Sequence, residues 1–195
     1  IPYLNRCFLH LFTSIHLLYH PKALSSMKRI YLVRHGKSDW DDLNLNDIER
    51  PLKERGVANS LEMGEHLKEL KWVPELIMSS PAVRAYETAK IIAEQLDVTG
   101  AQFKVDAKLY LPDFPTVLKI ILYLSDGLNS IMIIGHEPSL SNLINHFIRT
   151  PIDAVVTGSL TVLDFKVKKW REISPDTLAK AVHKSRHDMN GKELS

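Results

Sequence analysis

MKRIYLVRHG (27–36) and SIMIIGHEP (130–138) decide how this chain folds. Each holds a short apolar run with β-branched residues, Ile30–Val33 and Ile131–Ile134, the pattern of strands buried on both faces. Each run is followed at once by a histidine, His35 in Arg34-His35-Gly36 and His136 in Gly135-His136-Glu137-Pro138. In open α/β sheets ligands bind at the carboxyl edge of the strands. Two histidines and an arginine, far apart in sequence, are therefore expected to meet there around an anionic, phosphorylated substrate.

Working outward, the polar stretch KSDWDDLNLNDIER (37–50) reads as a long loop over the exit of the first strand. Pro51 opens a helix expected over Lys53 to Lys71, with Val57, Leu61, Leu67 and Leu70 supplying most of one face and Gly64 near that face for close packing. Leu76 to Met78 is a short strand. Ser80 as N-cap and Pro81 as first residue predict a helix to Leu96, with Ala82, Ala85, Tyr86, Ala89, Ile92, Ala93 and Leu96 as its stripe and Arg84 off it. Phe103 to Leu109 reads as an edge strand. Val117, Ile120, Ile121 and Leu124 mark a third helix, and Leu140, Leu143, Ile144 and Phe147 a fourth that starts at Pro138. Leu160 to Val167 alternates as a last strand.

This order predicts a three-layer α/β/α sandwich with a largely parallel central sheet over residues 27–173. Residues 174–195 read as a polar tail, a weak helix that then frays. Residues 1–26 are apolar but interrupted, and Met27-Lys28-Arg29 makes a natural protein start. They are expected to precede that start as an accessory or spurious extension, a cleaved leader being the rival reading. Phe8 to Tyr19 is too short for a bilayer span.

A chain of 195 residues, 45% hydrophobic, is long enough for one well-cored domain. The formal charge of +2 lacks the basic field of a protein that holds nucleic acid through its phosphates. The single cysteine, Cys7, excludes an intrachain disulfide and a Cys-rich zinc site. Cysteine scarcity and a poor leader point to the cytoplasm.

Arg34 and His35 are adjacent, so they share a pocket only if the backbone turns there, which Gly36 permits, along with close approach of a ligand. An imidazole at that point can attack phosphorus, while Arg34 and Arg84 offer planar forks to phosphoryl oxygens. His136, if doubly protonated, would stabilise the same oxygens. A proton donor for the leaving group has five candidates in the acidic loop, Asp39, Asp41, Asp42, Asp47 and Glu49, and spacing does not choose among them.

The signatures L-V-R-H-G (32–36), D-x-x-R-P-L (47–52), S-S-P-x-x-R-A-x-x-T-A (79–89) and G-H-x-P (135–138) resemble those of the histidine phosphatase, or phosphoglycerate mutase-like, superfamily. Within it the chain looks like the small SixA-type phosphohistidine phosphatases, from about Met27 to Ile173-Ser174-Pro175. The resemblance implies His35 as nucleophile, Arg34 and Arg84 as phosphoryl ligands and His136 as the second pocket histidine. Asp47 is the favoured acid or proton shuttle, and Arg50 either contacts substrate or braces the loop by pairing with Asp47 or Glu49. A large cap insertion is absent, and Asp41 stands where larger mutase-like members carry Asn, which argues against a sugar-phosphate mutase.

The implied activity is metal- and cofactor-independent hydrolysis of phosphohistidine on a phosphotransfer or signalling protein. The alternatives are a phosphomonoesterase acting on a small phosphorylated metabolite, and a phosphate-recognition module with little catalysis. Other features have plainer readings. His183 and His187, four apart, invite a metal site on one helix face, as His10, His16 and His20 do, but coincidence is the better account. Lys166, Lys168 and Lys169 read as a solvated strand end. Trp40 either lines the pocket mouth or packs in the core.

Overall fold

The structure, a computed structural model, describes residues 27–185 and 188–194. The expectations for residues 1–26 fall outside these. The apolar runs form strands β1 (Lys28–Arg34) and β4 (Ser130–Gly135), joined in one sheet by β2 (Leu76–Ser79), β3 (Phe103–Val105), β5 (Leu160–Phe165), β6 (Leu178–Ser185) and β7 (Asp188–Leu194). The spatial order is β3-β2-β4-β1-β5-β6-β7. Strands β3, β2, β4 and β1 run parallel, whereas β5, β6 and β7 add on antiparallel.

Side chains along β1 and β4 alternate between two cores, as strand geometry requires. On one face Ile30, Leu32, Ile131 and Ile133 pack under α3 (Phe114–Leu122) and α4 (Ser139–Phe147). On the other, Tyr31, Val33, Met132 and Ile134 pack under α1 (Glu54–Glu69) and α2 (Val83–Gln95). This is the three-layer α/β/α sandwich. Ile131 to Ile134 are wholly buried, and each such side chain stabilises the fold by about 1.5–3 kcal/mol.

Helix α1 leaves β1 on one face of the sheet and α4 leaves β4 on the other, although the two strands are neighbours. A crevice forms at such a switch point, outside the carboxyl ends of the strands. The register pairs Arg34 with Gly135, so His35 and His136 emerge side by side.

Four expectations need correction. The buried face of α1 is Gly56, Ser60, Met63, Gly64 and Leu67, while Val57, Leu61 and Leu70 remain 37–38% exposed at its margin. The helix rests on small residues: a Cβ at Gly64 would stand 2.7 Å from the Gln95 Cβ of α2. Close backbone approach, invisible to hydrophobic periodicity, set the face. Helix α2 starts at Val83 rather than Pro81, and Tyr86 is exposed. The edge strand β3 ends at Val105, and Ala107–Leu109 is a 3-10 turn. Finally, the described residues within 174–195 are not a weak helix and frayed tail: β6 pairs with β5 and carries β7 on its other side.

His183 therefore sits on a strand, its Nδ1 2.9 Å from Thr161 Oγ1, and not on a helix face that would present it with His187. His187 lies outside the described residues. Among the described residues no cluster of three or more metal-ligating side chains occurs, and no helix is long and apolar enough to cross a membrane. Lys166, Lys168 and Lys169 are exposed.

Candidate active site

The chain leaves β1 under tight control. His35 N–H donates to Gly135 O (3.3 Å), and Gly158 N–H reaches the carbonyls of both Arg34 (3.0 Å) and His35 (3.1 Å). Gly36 lies against the first turn of α1, where an added Cβ would stand 2.8 Å from Gly56 O; one on Gly56 would stand 2.4 Å from Lys37 O. The Gly36 amide donates to Thr88 Oγ1 (2.9 Å) on α2. The amide of Gly36, where close approach of a ligand is expected, is thus committed to Thr88, and the close approach seen there is between two backbones.

His35 is buried, and its Nδ1 lies 2.7 Å from Gly36 O. A carbonyl only accepts, so Nδ1 carries the proton and Nε2 keeps its lone pair. Nε2 faces Arg84, whose Nε–H donates to it at 3.3 Å. His136 is also buried, its ring centroid 5.0 Å from that of His35. Its Nδ1 is 3.5 Å from Arg84 Nη2, a pure donor, so Nδ1 accepts and Nε2–H donates to Ser80 Oγ (2.8 Å). Both imidazoles are thus neutral. Burial, reinforced by Arg84 and Arg34, pushes His35 down to about 4; burial, His35 and Arg84 push His136 down to about 3.

The pH consequence has a definite sign. The unfolded chain binds these protons near 6.5 and the folded one only near 4 and 3, so the stabilisation is complete above 6.5. It is lost as pH falls below that value, by about 1.4 kcal/mol per pH unit for each group, until the folded protein itself takes up the proton near 4 on His35 and near 3 on His136. The nucleophile stays unprotonated over the same range. We expect kcat/KM, corrected for ionisation of the substrate phosphate, to hold from pH 7 to 5 and to fall on a limb near 4. A limb at the ordinary histidine value in a pH–rate profile would contradict the assigned state of His35.

Arg84 lies in the first turn of α2 and is 5% exposed. Its Nη1 and Nη2 both donate to Asp47, to the carbonyl O and to Oδ2 (2.8 Å) respectively. The Nε and Nη2 edge faces His35 and His136. Arg34 is half-buried; its Nη1 donates to Val155 O (2.6 Å), and its buried Nε–H has no partner. Burial lowers its pKa, with the Glu137 charge opposing. The guanidinium of Arg50 stacks on Trp40 at 4.2 Å, and its buried Nε and Nη1 are unpartnered. Arg50 thus does not brace Asp47 or Glu49, and Trp40, 57% exposed, is not a core residue.

Of the five acidic candidates, only Asp47 contacts the histidine and arginine cluster. Asp39 and Asp41 pair with Lys53, Asp42 Oδ1 accepts from Asn44, and Glu49 accepts from Asn46. Burial works to raise the Asp47 pKa, but hydrogen bonds from Arg84 and Tyr110 and the Arg84 charge prevail and hold it below the usual carboxylate value. Asp47 is therefore ionised at neutral pH. Of the two roles expected for it, acid or proton shuttle, the free protein presents Asp47 as the proton acceptor.

Three residues of the site escaped the sequence reading. Ser80, read as a cap, anchors His136 and accepts from Ala82 N–H (3.3 Å). Thr88, inside a recognised motif, ties Gly36 to α2 and donates to Arg84 O (2.8 Å). Tyr110 donates to Asp47 Oδ2 (3.0 Å) and sets its ring edge against His136, centroids 5.9 Å apart. No local motif marks Tyr110.

The family model for the histidine phosphatase superfamily (branch 1) matches residues 30–110. An uncharacterized chloroplastic protein of Arabidopsis thaliana is 43% identical over 75 residues, 38% of this chain and 34% of that protein, so the chain spans about a third of its length. The uncharacterized phosphatase PhoE of Bacillus subtilis is 26% identical over 183 residues, covering 74% of this chain and 92% of its own. The crystal structure assigned as the phosphohistidine phosphatase SixA of Agrobacterium tumefaciens superposes with a TM-score of 0.63 at 26% identity, over 71% of this chain and 92% of the other.

Proposed function

The chain belongs to the histidine phosphatase superfamily, with a SixA-type fold, and from that premise we propose that it hydrolyses phosphohistidine on a protein through a covalent phospho-His35 intermediate. The observation that carries this reading is the neutral His35 with its Nε2 lone pair aimed at the Arg84 edge. Nε2 attacks phosphorus in line, forming the P–N bond while the bond to the leaving group breaks and takes its electron pair. The Nε and Nη2 donors of Arg84 and the unpartnered donors of Arg34 and Arg50 hold the phosphoryl oxygens. His136, neutral in the free protein, takes up a proton beside the incoming anion or accepts one from a protonated phosphoryl oxygen. Water then attacks the phospho-His35 phosphorus and restores the imidazole.

The lack of a protonated carboxyl among the groups of the free site favours phosphohistidine over an ester. With Asp47 ionised, a departing alkoxide depends on whatever proton His136 has taken up, whereas a phosphohistidine protonated on its other ring nitrogen expels a neutral imidazole that needs no further proton. The SixA likeness supports the same substrate class, with a cytoplasmic phosphotransfer or signalling protein as partner. No step calls for a metal, and activity should be indifferent to chelators and inhibited by vanadate.

The test compares a phosphohistidine-bearing phosphotransfer protein with nitrophenyl and alkyl phosphates. We expect the alkyl esters to trail the nitrophenyl ester by about 10²- to 10⁴-fold, the contribution of the missing general acid. Comparable rates on alkyl esters and none on phosphohistidine would move the function to small-metabolite phosphates and require a donor the site does not display.

A further inference from the structure

We propose that Tyr110 is a positioning residue that orients the Arg84 guanidinium through Asp47, and so sets the geometry of phosphoryl transfer; this rests on the phosphatase reading above. The guanidinium has two working edges. Its Nη1/Nη2 end is gripped by Asp47, whose carbonyl O and Oδ2 each accept one hydrogen bond. Its Nε/Nη2 side is the edge turned toward His35 Nε2 and His136 Nδ1. Fixing the first edge fixes the plane, and the plane aims the second.

Asp47 cannot do this alone. It lies in a loop, on a 3-10 turn whose residues are not buried, and its side chain is 38% exposed. Tyr110 supplies the missing constraint from 63 positions away: its hydroxyl donates to the same Oδ2 that receives Arg84 Nη2, and its ring edge rests on His136. One side chain thereby ties the acidic loop, α2 and the end of β4 together. The next residue, Leu111, is 54% exposed with φ at +45°, a left-handed conformation unusual for leucine, as the chain turns toward Pro112. Such strain persists where surrounding contacts fix the backbone.

Tyr110 does not serve as the missing acid. Its proton points at an ionised carboxylate, and burial and Asp47 both raise its pKa, so at neutral pH it donates a hydrogen bond and keeps the proton. Because Arg84 contacts the phosphoryl group and not the leaving group, loss of its alignment slows every substrate alike.

The test is Tyr110→Phe, which keeps the ring on His136 and removes only the hydroxyl, with a thermal melt to confirm folding. We expect kcat to fall about ten-fold, equally for nitrophenyl and alkyl phosphates, with KM changed much less, and vanadate binding to weaken. Asp47→Asn retains an acceptor for Arg84 and should retain more activity than Asp47→Ala. Adding Tyr110→Phe to Asp47→Ala should cost little more, since both act through one chain of contacts. A loss confined to alkyl phosphates would make Tyr110 an acid, and unchanged kcat and vanadate affinity would make it merely structural; either overturns the proposal. If the unaltered protein binds vanadate but turns over nothing, the phosphatase reading fails separately, and weaker vanadate binding by Tyr110→Phe still supports the positioning role.

Discussion

Replacing His35 with alanine lowers kcat by about 10⁴- to 10⁶-fold, the scale seen when a covalent nucleophile is removed. The expectation follows from the local geometry rather than from the motif alone. The Nδ1 proton is committed to Gly36 O, so Nε2 is the nucleophilic atom, and no other described side chain offers a comparable lone pair beside Arg84. His136 is near, but its Nε2–H is tied to Ser80 and its Nδ1 faces the same guanidinium from farther away. The substitution leaves Arg84 held at its other end by Asp47, so the pocket persists. Phosphate release from a phosphohistidine protein and from nitrophenyl phosphate measures the loss. A melt at pH 5 gives a second readout: removal of a histidine depressed to about 4 should make stability less sensitive to acid.

Arg84→Ala is the second large effect, about 10²- to 10³-fold in kcat, the cost of losing preorganised donors at the transition state. Here the side effects are predictable as well. Asp47 loses the guanidinium that, with the Tyr110 hydroxyl, overcomes burial and holds its pKa down, so that pKa rises. Arg84→Lys keeps the charge yet cannot grip Asp47 with one edge and address both histidines with the other. It should recover little of the activity. Steady-state kinetics of both variants on nitrophenyl phosphate check this, and near-normal turnover by the lysine variant would show that charge alone suffices.

What the chain displayed in its sequence, and what it hid, divides along physical lines. Strands β1 and β4 were legible because both faces are covered, so their apolar runs are continuous and end at a histidine each. Helix α4 was legible because Leu140, Leu143, Ile144 and Phe147 face the core at helical spacing. Helix α1 was read only in part: Leu67 and Gly64 lie on its buried face as expected, but Gly56 and Ser60, which hydrophobicity does not score, complete that face in place of Val57 and Leu61. Strand β6 was hidden because its buried positions include Lys184 as well as Ala181, a poor alternating pattern beside polar neighbours.

The site shows the same division. Residues that touch the crevice through a strand end or a helix start, Arg34, His35, Arg84 and His136, carried motifs. Asp47 was placed near the site by its motif, but its protonation state depends on Arg84 and Tyr110, 37 and 63 positions away. Tyr110 joins the site only because β3 delivers it there after an edge strand of three residues. Composition and local spacing hold no trace of such a contact.

The most direct test of the central claim is a rapid alkaline quench of the protein during turnover of nitrophenyl phosphate, followed by mass spectrometry of its peptides. The mechanism predicts a phosphoryl group on the peptide bearing His35, labile to acid, formed and lost at rates that match turnover and absent from the His35→Ala variant. Turnover without any phosphorylated peptide, or a phosphoryl group carried on another residue, would contradict it.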